Sequence, residues 1–256
     1  MENASLIGLS RQIALQRELD VIANNVANIN TNGFKANSSI FQEYLMPVAR
    51  ANGFRGGDTR LSYVRDRATW QDFGQGPLQQ TGNPLDVAID GNAFLTVQTA
   101  RGERYTRNGA LQMTSTGQLV TSEGDTVVGD NGPIQIQAGD HDISINPEGT
   151  ISVRNGSNTT ISQIRGKLRL ASFAQPQQLQ KEGSSTFSAP ASAQPTPPTA
   201  KVRVIQGAIE KSNVHSVTEM TRMIEVSRTY ATIAALLQGQ SDLRKSAIQQ
   251  LADVPT

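Results

Sequence analysis

Residues 15–33 read LQRELDVIANNVANINTNG, and the spacing of their apolar side chains decides the fold of this end of the chain. The apolar positions alternate four and three residues apart, which is the seam of a heptad helix, at Leu15, Leu19, Ile22, Val26 and Ile29. The polar residues that follow end at Gly33, and asparagine and glycine tolerate the positive φ of a helix C-terminus. The pattern predicts an amphipathic helix over residues 6–29, followed by a turn.

A second heptad seam lies near the C-terminus. Ser216 and Glu219 have the spacing of a capping box, which predicts a helix that begins at Ser216. Its seam residues are Met223, Val226, Tyr230, Ile233 and Leu237. Neither helix can bury its apolar stripe alone, so the two seams predict one helical unit, formed within the chain or with copies in other subunits. Two unrelated amphipathic helices packed on one globular core would show the same pattern.

The middle of the chain has the punctuation of β-hairpins. Eight of the nine glycines from residue 102 to residue 156 stand seven to ten positions apart, with short alternating or apolar runs between them. The runs predicted as strands are residues 85–89, 94–97, 117–120, 126–128, 134–136, 143–145 and 167–173. These runs predict an antiparallel β-rich domain.

Two segments of different composition flank this β-rich domain. Residues 188–200 contain four prolines and no charge, which is typical of an extended connector, and residues 47–69 place glycines among arginines. The predicted fold class is therefore α+β, with a discontinuous N- and C-terminal α-helical coiled-coil unit and an inserted antiparallel β-rich domain. The predicted divisions are an N-terminal helix and turn (1–40), an extended connector (41–73), the β-rich domain (74–175), a Pro-rich connector and return segment (176–210) and a C-terminal helix (211–256).

Composition excludes several classes of function. The 256 residues carry 23 Lys and Arg against 22 Asp and Glu, so the net charge of +1 offers no field for nucleic acid or an anionic membrane. Cysteine is absent, which excludes disulfides, thiol nucleophiles and Cys-ligated metals. No apolar run approaches the length of a membrane span, and Met1-Glu2-Asn3 does not begin a cleavable signal. We expect no membrane insertion, and any export would have to proceed without a cleaved signal.

Three stretches carry a resemblance to a known family. Residues 20–35, DVIANNVANINTNGFK, resemble the N-terminal signature of bacterial flagellar rod and hook proteins. Residues 81–91, TGNPLDVAIDG, with residues 105–109, YTRNG, resemble the β-domain motifs of that family. Residues 212–214, SNV, followed by Glu219-Met220, Met223-Ile224, Arg228 and Tyr230, resemble its C-terminal signature. Within the family, the length and the short middle domain favour a proximal-rod subunit, with a distal-rod subunit as the alternative.

The resemblance implies a structural role and no enzymatic activity. Such a subunit would reside in the basal-body rod within the periplasm, and it would contact the flagellar export apparatus, other rod subunits and its own copies in a helical tube. It would need no cofactor, metal or catalytic residue. The predicted assembly interface consists of Leu15, Leu19, Ile22, Asn24, Asn25, Val26, Asn28, Ile29, Met223, Val226, Tyr230, Ile233 and Leu237. The three asparagines beside the seam would fix its register, although a solvated helix face is an alternative interpretation.

A second hypothesis is a secreted β-rich binding module or cell-wall hydrolase whose helices only oligomerise it. Its candidate chemistry is Asp140-His141-Asp142, and the pair Asp86 and Asp90, which an even spacing places on one face of a strand. Both sets are also typical of ordinary turns, and Asp140-His141-Asp142 lacks a third metal ligand at a recognisable spacing.

Overall fold

The computed structural model describes residues 2–46, 61–155, 162–183, 185–198 and 201–252, and the chain divides into two compact units. The helical unit consists of Met1–Ala27, Asn37–Gln71 and His215–Thr256, and the β unit of Asn28–Ala36 and Asp72–Val214. An N-terminal helix, a C-terminal helix and an antiparallel β-rich middle confirm the predicted α+β class.

Two long helices form the core of the helical unit. Helix α1 spans Glu2–Ala27 and α2 spans Ser216–Ala252, the start that the sequence predicts. They run antiparallel, because Gly8 lies against Leu237 while the Glu18 carboxylate pairs with Arg222 at 2.7 Å. Ala14, Ile22 and Val226 are buried. Among the described residues, neither helix is long and apolar enough to cross a membrane.

A β-hairpin completes the helical unit. Strands β1 (Asn37–Met46) and β2 (Leu61–Gln71) pair antiparallel from Asn37 opposite Gln71 to Met46 opposite Leu61, with a bulge between Ile40 and Phe41. The prediction of an extended connector over 41–73 is wrong for its described residues. The glycines and arginines that suggested a connector lie within residues 47–60, outside the described residues, whereas the flanks are rich in β-forming side chains.

The β unit contains sixteen described strands in four sheets, which have nine, three, two and two strands. Its first eight strands are β3 (Leu78–Gln80), β4 (Val87–Asp90), β5 (Phe94–Thr99), β6 (Gly102–Thr106), β7 (Leu111–Met113), β8 (Leu119–Thr121), β9 (Thr126–Gly129) and β10 (Gly132–Pro133). The rest are β11 (Asp140–Ile145), β12 (Thr150–Asn155), β13 (Ser162–Lys167), β14 (Leu170–Ala171), β15 (Gln180–Glu182), β16 (Thr186–Ser188), β17 (Arg203–Gln206) and β18 (Ala208–Glu210). The largest sheet has the order β15-β16-β6-β5-β9-β8-β7, with β14 added to β5 and β10 to β9.

Two clusters make up the core of the β unit. An aliphatic cluster includes Ile89, Leu95, Val127 and Val204. An aromatic cluster joins Phe73, Phe94 and Phe187 through edge-to-face contacts, and Tyr105 joins it through Phe173. Val204 lies on β17, which comes from the segment predicted as connector and return.

Three predicted elements differ in the structure. The run 134–136 forms only an isolated bridge, and the run 167–173 is interrupted between β13 and β14. Residues 176–210 are more than a connector, because they contain a 3₁₀ turn and strands β15 to β18, of which β17 pairs with β4 and β18 with β3. Pairing partners more than 100 residues away stabilise this segment, and local composition does not reveal them.

Candidate assembly interface and buried junction

The predicted seam packs within the chain's own helical unit. Ile22 is 1% exposed and Val226 is 7% exposed, whereas the other seam residues of the two helices are partly buried, namely Leu15, Leu19, Val26, Met223, Tyr230, Ile233 and Leu237. Ile29 lies beyond the end of α1, in the turn that belongs to the β unit. The seam therefore holds one subunit together before it can contribute to any contact between subunits.

The three predicted asparagines have different surroundings. Asn25 is 1% exposed, and its side-chain amide makes two bonds to the backbone of Asn37, donating to the carbonyl at 2.8 Å and accepting from the amide at 2.9 Å. Asn25 Nδ2 also lies 3.4 Å from Glu219 Oε2. Asn24 is exposed and accepts from the Asn37 side chain at 3.4 Å. Asn28 lies in the turn after α1, where its side chain accepts from the Thr31 hydroxyl.

Asn25 thus has a structural role that the sequence did not reveal. Its amide presents one donor and one acceptor to Asn37, as a neighbouring strand would, and so fixes the first residue of β1 to the end of α1. The prediction that this position sets a register is retained as a proposal, but the bonds described here are internal to the helical unit.

Each helix also exposes a second apolar stripe that sequence reasoning missed. On α2, Val217, Met220 and Ile224 are 77%, 52% and 55% exposed. On α1, Leu6, Leu9 and Ile13 are about half exposed. Spacings of three and four residues place each set along one helix face, and contiguous exposed apolar faces mark sites of protein–protein contact. The spacing was readable in the sequence, but only the packing of α1 on α2 decides which stripe is left uncovered.

A buried cluster of charges lies in the β unit. Lys35 Nζ donates to Glu210 Oε1 at 2.6 Å and to the Gly74 carbonyl at 2.7 Å, while Arg107 Nη1 donates to Glu210 Oε2 at 3.2 Å. All three side chains are 0–1% exposed. Burial lowers the pKa of Lys35 from its ordinary 10.5, and the attraction of Glu210 opposes this shift. Burial likewise lowers the pKa of Arg107, again opposed by Glu210.

This cluster was not predicted, although Lys35 and Arg107 both fall within the recognised motifs. Lys35 lies between the turn after α1 and the start of β1, Arg107 directly follows β6, and Glu210 ends β18. A lysine in a turn normally indicates a solvated position, so the sequence offered no sign of burial.

The residues of the second hypothesis make structural bonds. The Asp140 carboxylate receives two bonds from Arg165, both at 2.7 Å, and Asp142 pairs with Arg154 at 3.4 Å. The Asp86 carboxylate accepts from Thr81 and Asn83, which fixes the turn before β4, while Asp90 is exposed. His141 Nδ1 lies 3.3 Å from the Gly139 carbonyl. Within the part of the chain that the structure describes, no three potential metal ligands cluster.

Comparison with known proteins defines the class. Family models match at three places: "Flagella basal body rod protein" at residues 6–35, "Flagellar hook protein FlgE/F/G D1 domain" at 88–153 and "Flagellar basal body rod FlgEFG protein C-terminal" at 205–250. These matches place the chain in the class of flagellar hook and rod proteins and confirm the resemblance of the three motifs.

Relatives that match over nearly the whole chain identify the family within this class. A flagellar basal-body rod protein FlgF from Caulobacter vibrioides is 34% identical over 99% of this chain and 100% of its own length. An FlgF from Mesorhizobium japonicum is 31% identical over 98% of each chain, and an FlgG from Bacillus subtilis is 30% identical over 94% of this chain and 96% of its own. The chain belongs to the flagellar basal-body rod protein family.

Proposed function

We propose that this protein is a structural subunit of the proximal part of the flagellar rod and corresponds to the FlgF type. The observation that carries the proposal is the end-to-end similarity to FlgF proteins, which extends over 98–99% of the chain and includes both helices and the β unit. Proteins of the FlgG type cover 85–94% of it, which makes a distal-rod subunit the alternative.

The exposed stripes on α1 and α2 support self-assembly. Val217, Met220 and Ile224 form an apolar face with no partner among the described residues, and covering such a face releases water from its surface. A contact between different faces of identical or related subunits repeats along a helix when its rotation does not close into a ring. We infer that this chain forms a helical tube with other rod subunits. The exposed parts of the predicted seam residues would contribute to the contacts between subunits.

The proposal includes location and export. A rod subunit would reside in the basal body within the periplasm, as part of the drive shaft around the export channel. It would pass through the flagellar export apparatus without a cleaved signal. It would have no enzymatic activity. The bonds of Asp86, Asp140 and Asp142 support this, because they account for the three carboxylates by structural roles in a turn and in ion pairs.

The test is a gene deletion complemented with variants of one helix face. Wild type should restore swimming and complete basal bodies, whereas Ile224→Asp should fail, because a carboxylate on the apolar stripe cannot be buried without a partner. Thr218→Asp is the matched control, since Thr218 is exposed and lies roughly 120° around the helix from Ile224. Equal cellular amounts and equal helix content of the two variants must be verified first. Restoration by Ile224→Asp would exclude the stripe as an assembly surface, and normal flagella in the deletion strain would exclude the rod function.

Electron microscopy of the same deletion strain separates the two rod positions. If the protein is a proximal subunit, the basal bodies should lack a rod, because distal subunits would have no base on which to assemble. Short rods that stop before the hook would instead assign the protein to the distal part.

A further inference from the structure

The chain passes between its two units four times, and the β-unit ends of three of these connections are bound to one another. The Ala36 amide donates to Asn213 Oδ1 at 2.8 Å, the Asp72 amide donates to the Ala36 carbonyl at 2.9 Å, and Asn213 Nδ2 donates to the Asp72 carbonyl at 2.9 Å. The Gly33 amide donates to the Glu210 carbonyl at 2.8 Å. Three segments, residues 33–36, 72–76 and 210–213, therefore form one junction.

The charges under this junction are unequal. Lys35 and Arg107 are both buried against a single carboxylate, that of Glu210, so two cations share one anion. Asp72 adds only a weaker attraction for Lys35. Glu210 Oε1 also accepts from the Gly76 amide at 2.8 Å, so each of the three segments depends directly on this one side chain.

The junction is also closely packed. A Cβ placed on Gly76 would lie 2.1 Å from the Lys211 carbonyl oxygen, and one placed on Gly33 would lie 2.4 Å from the Arg107 carbonyl carbon. Such close backbone approach leaves no room for a side chain at either glycine. Without Glu210, the two cations could regain solvation only if the segments separated.

We propose that Lys35, Arg107 and Glu210 form a charge latch, which holds residues 33–36, 72–76 and 210–213 together and whose loss opens this junction without unfolding the rest of the β unit. The aliphatic core does not include any of the three segments, so it keeps its own stabilisation when the latch opens, whereas the aromatic cluster includes Phe73 of the second segment. Local opening of this kind is a common feature of folded proteins and can be measured at individual amides.

The experiment is amide hydrogen exchange on the full chain, comparing Glu210→Gln with Glu182→Gln. Glutamine keeps the shape and an acceptor oxygen but removes the charge, and Glu182 pairs with Arg104 at a partly exposed site. In Glu210→Gln, the amides of Gly33, Ala36, Asp72 and Gly76 should exchange at least about 30-fold faster than in the control, since a buried cation is left without its partner. The amides of Leu119 and Ile136, which bond to Ile134 and Gly117 inside the β unit, should stay within about threefold.

A second substitution tests whether charge is the cause. Lys35→Met, added to Glu210→Gln, restores the original net charge of the cluster. The junction amides of this double variant should exchange at least about tenfold more slowly than those of Glu210→Gln alone. Unchanged exchange in Glu210→Gln would overturn the latch, as would equal acceleration at Leu119 and Ile136 or no recovery in the double variant. If Glu210→Gln alone does not fold, a folded and protected double variant supports the latch, and an unfolded one overturns it.

Discussion

Replacing Asn25 with alanine should release the hairpin from the end of α1. Asn25 is fully buried, and its amide makes two bonds to Asn37, at 2.8 and 2.9 Å. The substitution removes both side-chain hydrogen-bond partners of the Asn37 backbone, the acceptor for its amide and the donor to its carbonyl. The methyl group of alanine cannot replace either bond, and the Asn25 side of both bonds is buried.

The magnitude follows from these two bonds. Each hydrogen bond contributes about 1 kcal/mol, and a buried donor or acceptor left unpaired costs about 1–3 kcal/mol, so the helical unit should lose roughly 2–4 kcal/mol. The longer contact to Glu219, at 3.4 Å, adds little to this sum.

Trp70 provides a local assay. It is the only tryptophan of the chain and pairs with Ser38, next to Asn37, in the hairpin. Urea unfolding of the isolated subunit, followed by its fluorescence, should show a midpoint about 1–2 M lower for Asn25→Ala. Asn24→Ala is the matched control, because Asn24 is exposed, and it should change stability by less than about 0.5 kcal/mol. If the two variants unfold at the same urea concentration, the described role of Asn25 is wrong.

Two further predictions concern the cores of the two units. Burial raises the pKa of Tyr105 to about 12, and the 3.0 Å hydrogen bond from its hydroxyl to Glu103 adds to this shift. In a pH titration, its phenolate absorbance should therefore appear at a higher pH than that of an ordinary tyrosine. This late step should vanish in Tyr105→Phe. The phenol then stabilises the fold fully below its ordinary pKa of 10.0, and this stabilisation is lost as the pH rises from there through about 12; a flat stability over that range would contradict the assignment. Ile22→Ala should lower the free energy of unfolding of the helical unit by about 2–5 kcal/mol, because Ile22 is buried. Leu9→Ala, at a half-exposed position of the same helix, should lower it by about 1 kcal/mol or less. Equal losses in the two variants would show that the seam is not the core of the helical unit.

The sequence predicted those parts of the fold that local periodicity determines. The heptad spacing around Ile22 and Val226 indicated both helices, and regular glycines indicated the hairpins. The hairpin of β1 and β2 and the return strands β17 and β18 escaped prediction, because glycine and proline in the neighbouring segments suggested connectors while the pairing partners lie far along the chain.

The candidate site shows the same limit. Lys35 and Glu210 are 175 residues apart, and no local pattern marks either as buried. The seam residues were identifiable because they repeat, but Val217, Met220 and Ile224 follow an equally good helical spacing. Which of two stripes faces the partner helix is decided by three-dimensional packing, and for that reason the exposed face was missed.

The antiparallel pairing of α1 with α2 has a consequence for the timing of biosynthesis. Glu18 and Arg222, which pair across the two helices, are separated by 204 residues. At a translation rate of about 5–20 residues per second, α1 waits roughly 10–40 s after its own synthesis before its partner exists. Most of the stability of a helix in a protein comes from the packing of its apolar face, so before α2 exists the seam around Ile22 is accessible. A factor that recognises the N-terminal segment can therefore bind it before α2 is synthesised. Once α2 packs on α1, the seam is no longer accessible.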